Sequence, residues 1–247
     1  MTGVEFERVT EHILRLEVPY SLFGPISLPV SLYLVRDRQG WTLIDSGPAE
    51  TAEDVVTAIA TATDDLGPDQ ILLTHAHYDH SGGLGAIRMA WKVPLICHKD
   101  EAPFITGQSG YRLLASRNPF YLLGRYLVPP AGWGYTVDHR LERGESLLGM
   151  VVISLPGHSP GQIGFLHSED RAILCGDALM NIKGRISPPS RWLTVDPDLA
   201  SRSIERLAEL DFLHLLPSHG DPILDNGRRS LRQYLGLSQE EDLLGRW

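Results

Sequence analysis

The ten residues THAHYDHSGG, Thr74 to Gly83, decide how this chain is to be read. They follow Ile71, Leu72 and Leu73, an apolar run of strand length, and lead into GLGAIRMAW (83–91), which has helical spacing. Side chains two apart on a strand share a face, so a strand ending here would put His75 and His77 on one side before the chain turns. Asp79 and His80 then arrive near the start of the helix, and Gly82 and Gly83 suit a backbone that turns tightly beside them. Imidazole nitrogen suits zinc and other first-row metals, and a carboxylate adds an oxygen ligand. Three histidines and one aspartate between His75 and His80 exceed what one tetrahedral ion takes from a single segment, and a two-metal site would use the surplus.

Further ligands must come from elsewhere, and three stand ready, each at the end of an apolar run: His158 in SLPGHSPGQ, Asp177 in ILCGDAL and His219 in LLPSHGDP. Strand, small residues, then ligand is how a sheet presents groups from several strands at one edge. A lone histidine at a strand end is more often a hydrogen-bonding residue than a ligand, so the argument rests on the cluster with its three followers. His12, His98, His139, His167 and His214 lack such a setting and receive no role.

HAHYDH, PGHSPGQ, the strand ending CGDA, and LLPSHG together resemble the metallo-β-lactamase superfamily, in a form similar to its glyoxalase II-like and lactonase-like branches. The resemblance spans nearly the whole chain, from the SLYLV and WTLIDSG runs to SHGDPI. It implies a four-layer αββα sandwich of the α/β class with the metals at one edge between the sheets. It further implies that His75, His77 and His158 hold a first ion, that Asp79, His80 and His219 hold a second, and that Asp177 bridges them. Asp45 matches an early aspartate of the family that lies behind the ligands and steadies them. The implied cofactors are two zinc ions, with iron or manganese also chemically acceptable.

A water shared by two such ions ionises near neutral pH, and the ions polarise a carbonyl or phosphoryl oxygen, so no serine or cysteine nucleophile is required. Asp79, beside that water, is the expected catalytic group that orients it. The chain offers no G-x-S-x-G elbow, no G-x-G-x-x-G and no phosphate-cradling glycine–lysine loop. Two other classes remain open at this point. One is a mononuclear non-haem iron enzyme resembling persulfide dioxygenases, using only His75, His158 and Asp177, and the other is a non-catalytic metal-binding protein.

At 247 residues, 43% of them hydrophobic, the chain can bury a large core, and one domain spanning 1–247 is expected. Cys97 and Cys175 lie singly in apolar runs and read as buried free thiols of a reducing compartment. The first residues lack a secretory pattern and no apolar stretch reaches the roughly 20 residues of a membrane helix, so a cytoplasmic protein without a span is expected. A net charge of −9 argues against nucleic acid as a partner and leaves a small-molecule substrate. A homodimer is compatible with all of this.

Nine short runs read as strands: HILRLEV, SLYLV, WTLID, QILLTH, PLICH, VVISLP, IGFLHS, RAILCGD and LHLLPSH. Amphipathic helices are expected over Thr51 to Ala62, with Val55, Val56, Ile59 and Ala60 inward, and over Pro197 to Leu210 behind an Asp196 cap. Two stretches carry no acidic residue. Pro103 to Tyr135 holds Phe104, Tyr111, Phe120, Tyr121, Tyr126, Trp133 and Tyr135 with Arg112, Arg117 and Arg125, and Asn181 to Trp192 holds Lys183, Arg185 and Arg191. A helical insertion at about 103–137 that covers the site would place Arg112, Arg117, Tyr121 and Arg125 on the substrate, with Lys183 and Arg185 on the same rim. The substrate would then be an anionic, partly apolar thioester, lactone or related ester. The same aromatics would equally serve an ordinary helical core or a dimer contact.

Overall fold

The computed structural model describes residues 4–23, 26–38, 40–127 and 134–237. In chain order the strands are β1 (Glu7–Arg8), β2 (Ile13–Val18), β3 (Ser21–Phe23), β4 (Ile26–Ser27), β5 (Val30–Arg36), β6 (Trp41–Ile44), β7 (Gln70–Leu72), β8 (Leu95–His98), β9 (His139–Leu141), β10 (Ser146–Leu147), β11 (Met150–Ser154), β12 (Ile163–His167), β13 (Ala172–Gly176), β14 (Met180–Ile182), β15 (Arg185–Ser187) and β16 (His214–Pro217). The helices are α1 (Ala52–Ala62), α2 (Tyr78–Ser81), α3 (Leu84–Trp91), α4 (Ala102–Ile105), α5 (Pro119–Gly124), α6 (Pro197–Leu207) and α7 (Gly227–Tyr234). Each of the nine apolar runs contains a strand.

One sheet runs β1-β2-β5-β6-β7-β8-β9 and the other β10-β11-β12-β13-β16. Within the first, β6 to β9 are parallel; within the second, β13 and β16 are. Alternation along the strands assigns the layers. On β5, Tyr33 and Val35 face the second sheet, where they meet Val152, Phe165 and Leu174, while Leu32 and Leu34 face the other way onto Val55 and Ile59 of α1 and Ile87 of α3. On β13, Ala172 and Leu174 point inward, and Ile173 and Cys175 point out onto Ile204 and Leu207 of α6 and Leu231 of α7. The result is helix, sheet, sheet, helix, with helices packed on the outer face of each sheet. Cys97 and Cys175 are free and buried in opposite outer layers.

α6 starts as its sequence demands: the Asp196 side chain accepts from Leu199 N at 2.9 Å, with Pro197 at the first helical position. α1 is turned slightly from expectation. Its buried face is Ala52, Val55, Ala58 and Ile59, leaving Val56 and Ala60 half-buried at the edge. Gly82 and Gly83 are needed for close approach rather than for a special turn, because a Cβ on Gly83 would stand 2.2 Å from the Ser46 carbonyl oxygen and one on Gly82 would stand 2.6 Å from Ala49 N. That contact seats the loop after β6 directly against the helix that follows His80.

The stretch after β8 sends several of its aromatics into the core. Phe104 and Tyr111 stack at 4.2 Å and lie in the outer core of the first sheet, while Tyr121 of α5 is fully buried. Trp133 lies outside the described residues. Among the described residues no helix is long and apolar enough to cross a membrane.

Candidate metal centre

The ends of four parallel strands supply most of the site. Asp45 follows β6, His75 and His77 follow β7, Asp177 follows β13 and His219 follows β16, while His158 sits in the loop between β11 and β12. Strand ends in parallel sheets leave the chain free to turn away, which is where such groups collect. All seven of the side chains named as ligands from the sequence come together, and all but Asp79 are almost wholly buried.

They form two triads that meet at Asp177. His77 Nδ1 lies 2.9 Å from His75 Nε2 and 3.0 Å from His158 Nε2. On the other side His219 Nε2 lies 3.3 Å from an Asp79 oxygen and His80 Nε2 lies 3.6 Å from the same oxygen. Asp177 Oδ2 is 3.4 Å from His158 Nε2, and its Oδ1 is 3.4 Å from both His80 Nε2 and His219 Nε2.

The groups behind these side chains fix which ring nitrogen keeps its proton. The Thr74 hydroxyl donates to Asp45, so it can only accept from His75 Nδ1 at 3.0 Å. Thr194 donates to the Ser190 carbonyl at 2.9 Å, so it accepts from His158 Nδ1 at 3.4 Å. His219 Nδ1 meets the Pro29 carbonyl at 2.8 Å and His80 Nδ1 meets Asp45 Oδ2 at 2.9 Å, and both of these partners are acceptors. In all four rings the Nδ1 proton is drawn outward and Nε2 is directed at the centre. Asp45, buried and held at φ 61°, also accepts from the Thr74 backbone N–H at 2.8 Å, which ties His75 and His80 to one carboxylate.

Electrostatics separates the two triads. Burial holds His75 below its usual range, His77 down to about 3 and His158 down to about 4, so all three are neutral at pH 7. Burial acts the same way on His80 and His219, but the carboxylates of Asp79 and Asp177 outweigh it, raising His80 well above its ordinary value and His219 to about 10. Those cations hold both carboxyls below their ordinary value against the opposing effect of burial. His77 Nε2, His80 Nε2 and Asp177 Oδ1 have no hydrogen-bond partner. Converging lone pairs of neutral imidazoles, next to a buried carboxylate with an orphaned oxygen, fit one or more cations bound there.

A buried carboxylate that sequence analysis passed over braces the first triad. Glu101 accepts from Ala76 N at 2.9 Å, from the Tyr111 hydroxyl, from Ser159 Oγ at 2.8 Å and from Gly161 N at 2.7 Å. It thereby joins the loop carrying His75 and His77 to the loop carrying His158, and Tyr111 in turn packs its ring 4.4 Å from His77. Burial raises the Glu101 carboxyl above the usual range against these four donors. Nothing in HKDEAP marks this role, since it depends on contacts up to 60 residues away.

The pocket above the triads is narrow, about 40 Å³, and its walls beyond the ligands include Tyr20, Leu28, Tyr78, Met180, Pro189 and Leu193. Arg112, Arg117, Tyr121, Arg125, Lys183 and Arg185, expected on the substrate, are not among the residues lining it. The reasons are local. Tyr121 points into the core and donates to the Tyr111 carbonyl at 2.9 Å. Arg125 lies over the Tyr126 ring, and Arg112 donates to the Tyr126 carbonyl at 3.4 Å. Lys183 and Arg185 are exposed on the β14–β15 hairpin. Arg117 lines a separate, larger cleft of 520 Å³ together with Arg191, Arg202, Asp196 and Asp198.

A second histidine–aspartate group, formed by His12 and His167 to which no role was assigned, lies before β13, at the opposite end of that strand from Asp177. Asp170 accepts from His12 Nδ1 at 2.6 Å, from His12 N at 3.0 Å and from Thr10, and its own N–H donates to His167 Nδ1 at 3.2 Å.

The family profile described as "Metallo-beta-lactamase superfamily" matches residues 26–221. The chain belongs to this superfamily. Its metallo-β-lactamase relatives include "Probable metallo-hydrolase YybB" of Bacillus subtilis (strain 168), 27% identical over 90% of this chain and 94% of that protein. An "N-acyl homoserine lactonase" of Bacillus thuringiensis is 27% identical over 75% and 77% respectively. Among solved structures, a metallo-beta-lactamase from Pontibacter korlensis superposes with a TM-score of 0.70 at 17% identity, covering 95% of this chain and all of that one. TTHA1623 in a di-iron-bound form gives 0.62 at 29% identity over 86% and 96%. The αββα sandwich is therefore that of the superfamily, whose members include metal-binding hydrolases.

Proposed function

We propose that this protein is a dinuclear metallohydrolase that cleaves an ester-type bond, such as a lactone, thioester or related ester, in a partly apolar small molecule. The observation that carries this reading is the position of Asp177, one oxygen directed at His158 and the other at His80 and His219. A carboxylate shared in this way joins His75, His77 and His158 with Asp79, His80 and His219 into a pair of adjacent sites. Two zinc ions bound there would supply Lewis acidity and make water ionisable near neutral pH. Asp79, the least buried of the seven, borders the pocket and would accept the hydrogen bond of the attacking water, fixing its direction.

The pocket walls favour the apolar part of the expected substrate and not its anionic part. Tyr20, Leu28, Met180, Pro189 and Leu193 offer an acyl or ring portion a dry surface, and among the described residues no lysine or arginine lines the cavity. The lactonase among the relatives supports a lactone-type substrate, and the di-iron form of TTHA1623 makes iron an alternative to zinc.

The test is metal analysis with a hydrolysis panel of lactones, thioesters and simple esters. About two ions per chain, turnover lost on chelation, and an Asp79→Asn variant that retains metal but loses most of kcat are the expected results. One ion per chain with no hydrolysis of any panel member would refute the reading.

A further inference from the structure

The two stretches without acids meet on the surface. Residues 102–137, between Glu101 and Asp138, and residues 178–195, between Asp177 and Asp196, contain six lysines and arginines and no aspartate or glutamate, in a chain of net charge −9. The Asn118 side-chain amide donates to the carbonyls of Arg191 at 2.7 Å and Thr194 at 2.6 Å, and Ser116 donates to that of Val195. Gly124 packs so tightly on the Trp192 carbonyl that a Cβ would stand 2.1 Å from its oxygen. These contacts hold α5 and the 190–195 segment as one surface.

That surface is apolar on the outside. Among the described residues thirteen large hydrophobic side chains are exposed, and eight of them fall in these two stretches. α5 buries Tyr121 and turns Phe120, Leu122 and Leu123 outward, Trp192 packs edge-on against Phe120 at 5.2 Å, and Leu113 (81% exposed), Tyr126 (63%) and Leu127 extend the same region. An apolar patch this concentrated marks an interaction surface rather than the scattered exposure of an ordinary surface. Among the described residues Arg117 and Arg191 make no ion pair, although Asp196 and Asp198 line the same cleft, and Arg125 lies over the ring of exposed Tyr126.

We infer that this face docks reversibly on an anionic lipid surface. Exposed leucine, phenylalanine, tryptophan and tyrosine side chains fringed by arginine are the chemistry that enters the headgroup boundary of a bilayer, and the segregation of cations here offsets the repulsion from an acidic body. A second copy of the chain fits less well. A two-fold contact sets a face against itself, so Arg112 and Arg125 would meet their own images within a stretch that contains no acid, while Asp196 and Asp198 stand beside Arg117 and Arg191 in their cleft. Pro189, Ser190 and Leu193, which line the metal pocket, flank Arg191 and Trp192, so docking would bring the pocket mouth close to the lipid.

The metal-loaded full chain is sedimented with vesicles of phosphatidylcholine alone and of an equal mixture with phosphatidylglycerol, while light scattering reads its mass in free solution. Expected are co-sedimentation with the mixed vesicles only, release by salt, and a blue shift of tryptophan emission that Trp192→Phe diminishes. The exposed-site double variant Leu123→Glu/Tyr126→Glu should weaken binding by on the order of tenfold or more, as should Arg112→Glu/Arg117→Glu, with the melting temperature unchanged. Absence of binding to the mixed vesicles, equal binding to both kinds, or a dimer in solution that Leu123→Glu/Tyr126→Glu dissolves would each overturn the inference.

Discussion

At one end of β13, Asp177 sits among His80, His158 and His219; at the other, Asp170 sits between His12 and His167. The residue types are the same, and at each end a triad that includes the aspartate, His75, His80 and Asp177 or His12, His167 and Asp170, has ligand-type atoms within 4.8 Å of one another. What differs is satisfaction. Around Asp170 each polar contact has a donor and an acceptor: Thr10 and His12 donate to the carboxylate, and the Asp170 N–H donates to His167. Around Asp177 the Nδ1 protons are drawn outward to Asp45, Thr74, Thr194 and Pro29, leaving Nε2 atoms and an orphaned carboxylate oxygen facing inward. A group of histidines and aspartates closes on itself as a structural latch or stays open for a ligand according to where its hydrogen-bond donors are spent.

The contrast can be broken most severely at Asp177. Asp177→Ala removes the one group shared by both triads and should lower metal content from about two ions per chain toward one or none, with hydrolysis falling more than about 100-fold, beyond what loss of a supporting partner costs. Metal analysis alongside kinetics reads both, and Asp170→Ala is the matched control that should leave both unchanged. Asp45→Asn is next. It keeps the shape but weakens the acceptor that orients Thr74 and His80, so metal affinity measured by competition with a chelator should fall by about 10–100-fold.

Glu101→Gln sharpens the comparison from a third side, because this carboxylate is buried like Asp177 but satisfied like Asp170. The amide presents two donors where four donors converge, and unfolding in urea should register a loss of about 1–3 kcal/mol with a smaller change in metal content. The smallest effect belongs to the latch. Its hydrogen bond to Asp170 raises His12 above the ordinary 6.5, with burial opposing, so the stabilisation is complete below that value and is lost as pH rises through the higher folded value. Asp170 is held below 3.8 by His12 and Thr10 against its burial, so its share is present above 3.8 and disappears as pH falls through the lower folded value. His12 is half-buried, and partial solvent screening limits the pair to about 1 kcal/mol. His12→Gln should therefore lower the melting temperature slightly near pH 5 to 6 and leave it unchanged in alkaline buffer.

Much of the site could be read from the chain because its ligands are local in pattern. HAHYDH places four groups within six residues, and the other three stand where apolar runs end, which is where strands end. Apart from Asp45, to which the family resemblance pointed, the supporting groups were not legible, since Glu101 meets Gly161, His219 meets Pro29 and Tyr33 meets Pro217 across 60, 190 and 184 residues. The placing of the arginines was not legible for a related reason. Their abundance in an aromatic stretch was visible, but whether that stretch bends over the pocket depends on Ser116 and Asn118 fastening it to the 191–195 backbone.

The amino-acid order alone determined the alternating strands, the capped start of α6 and the identity of seven metal-type side chains, because each is set by neighbours within a few positions. Only the folded chain decided which imidazole nitrogen faces the centre, which carboxylate braces two loops and which apolar side chains remain outside. Those outcomes depend on partners brought together from distant segments, and no local pattern encodes the direction in which a proton or a ring will point.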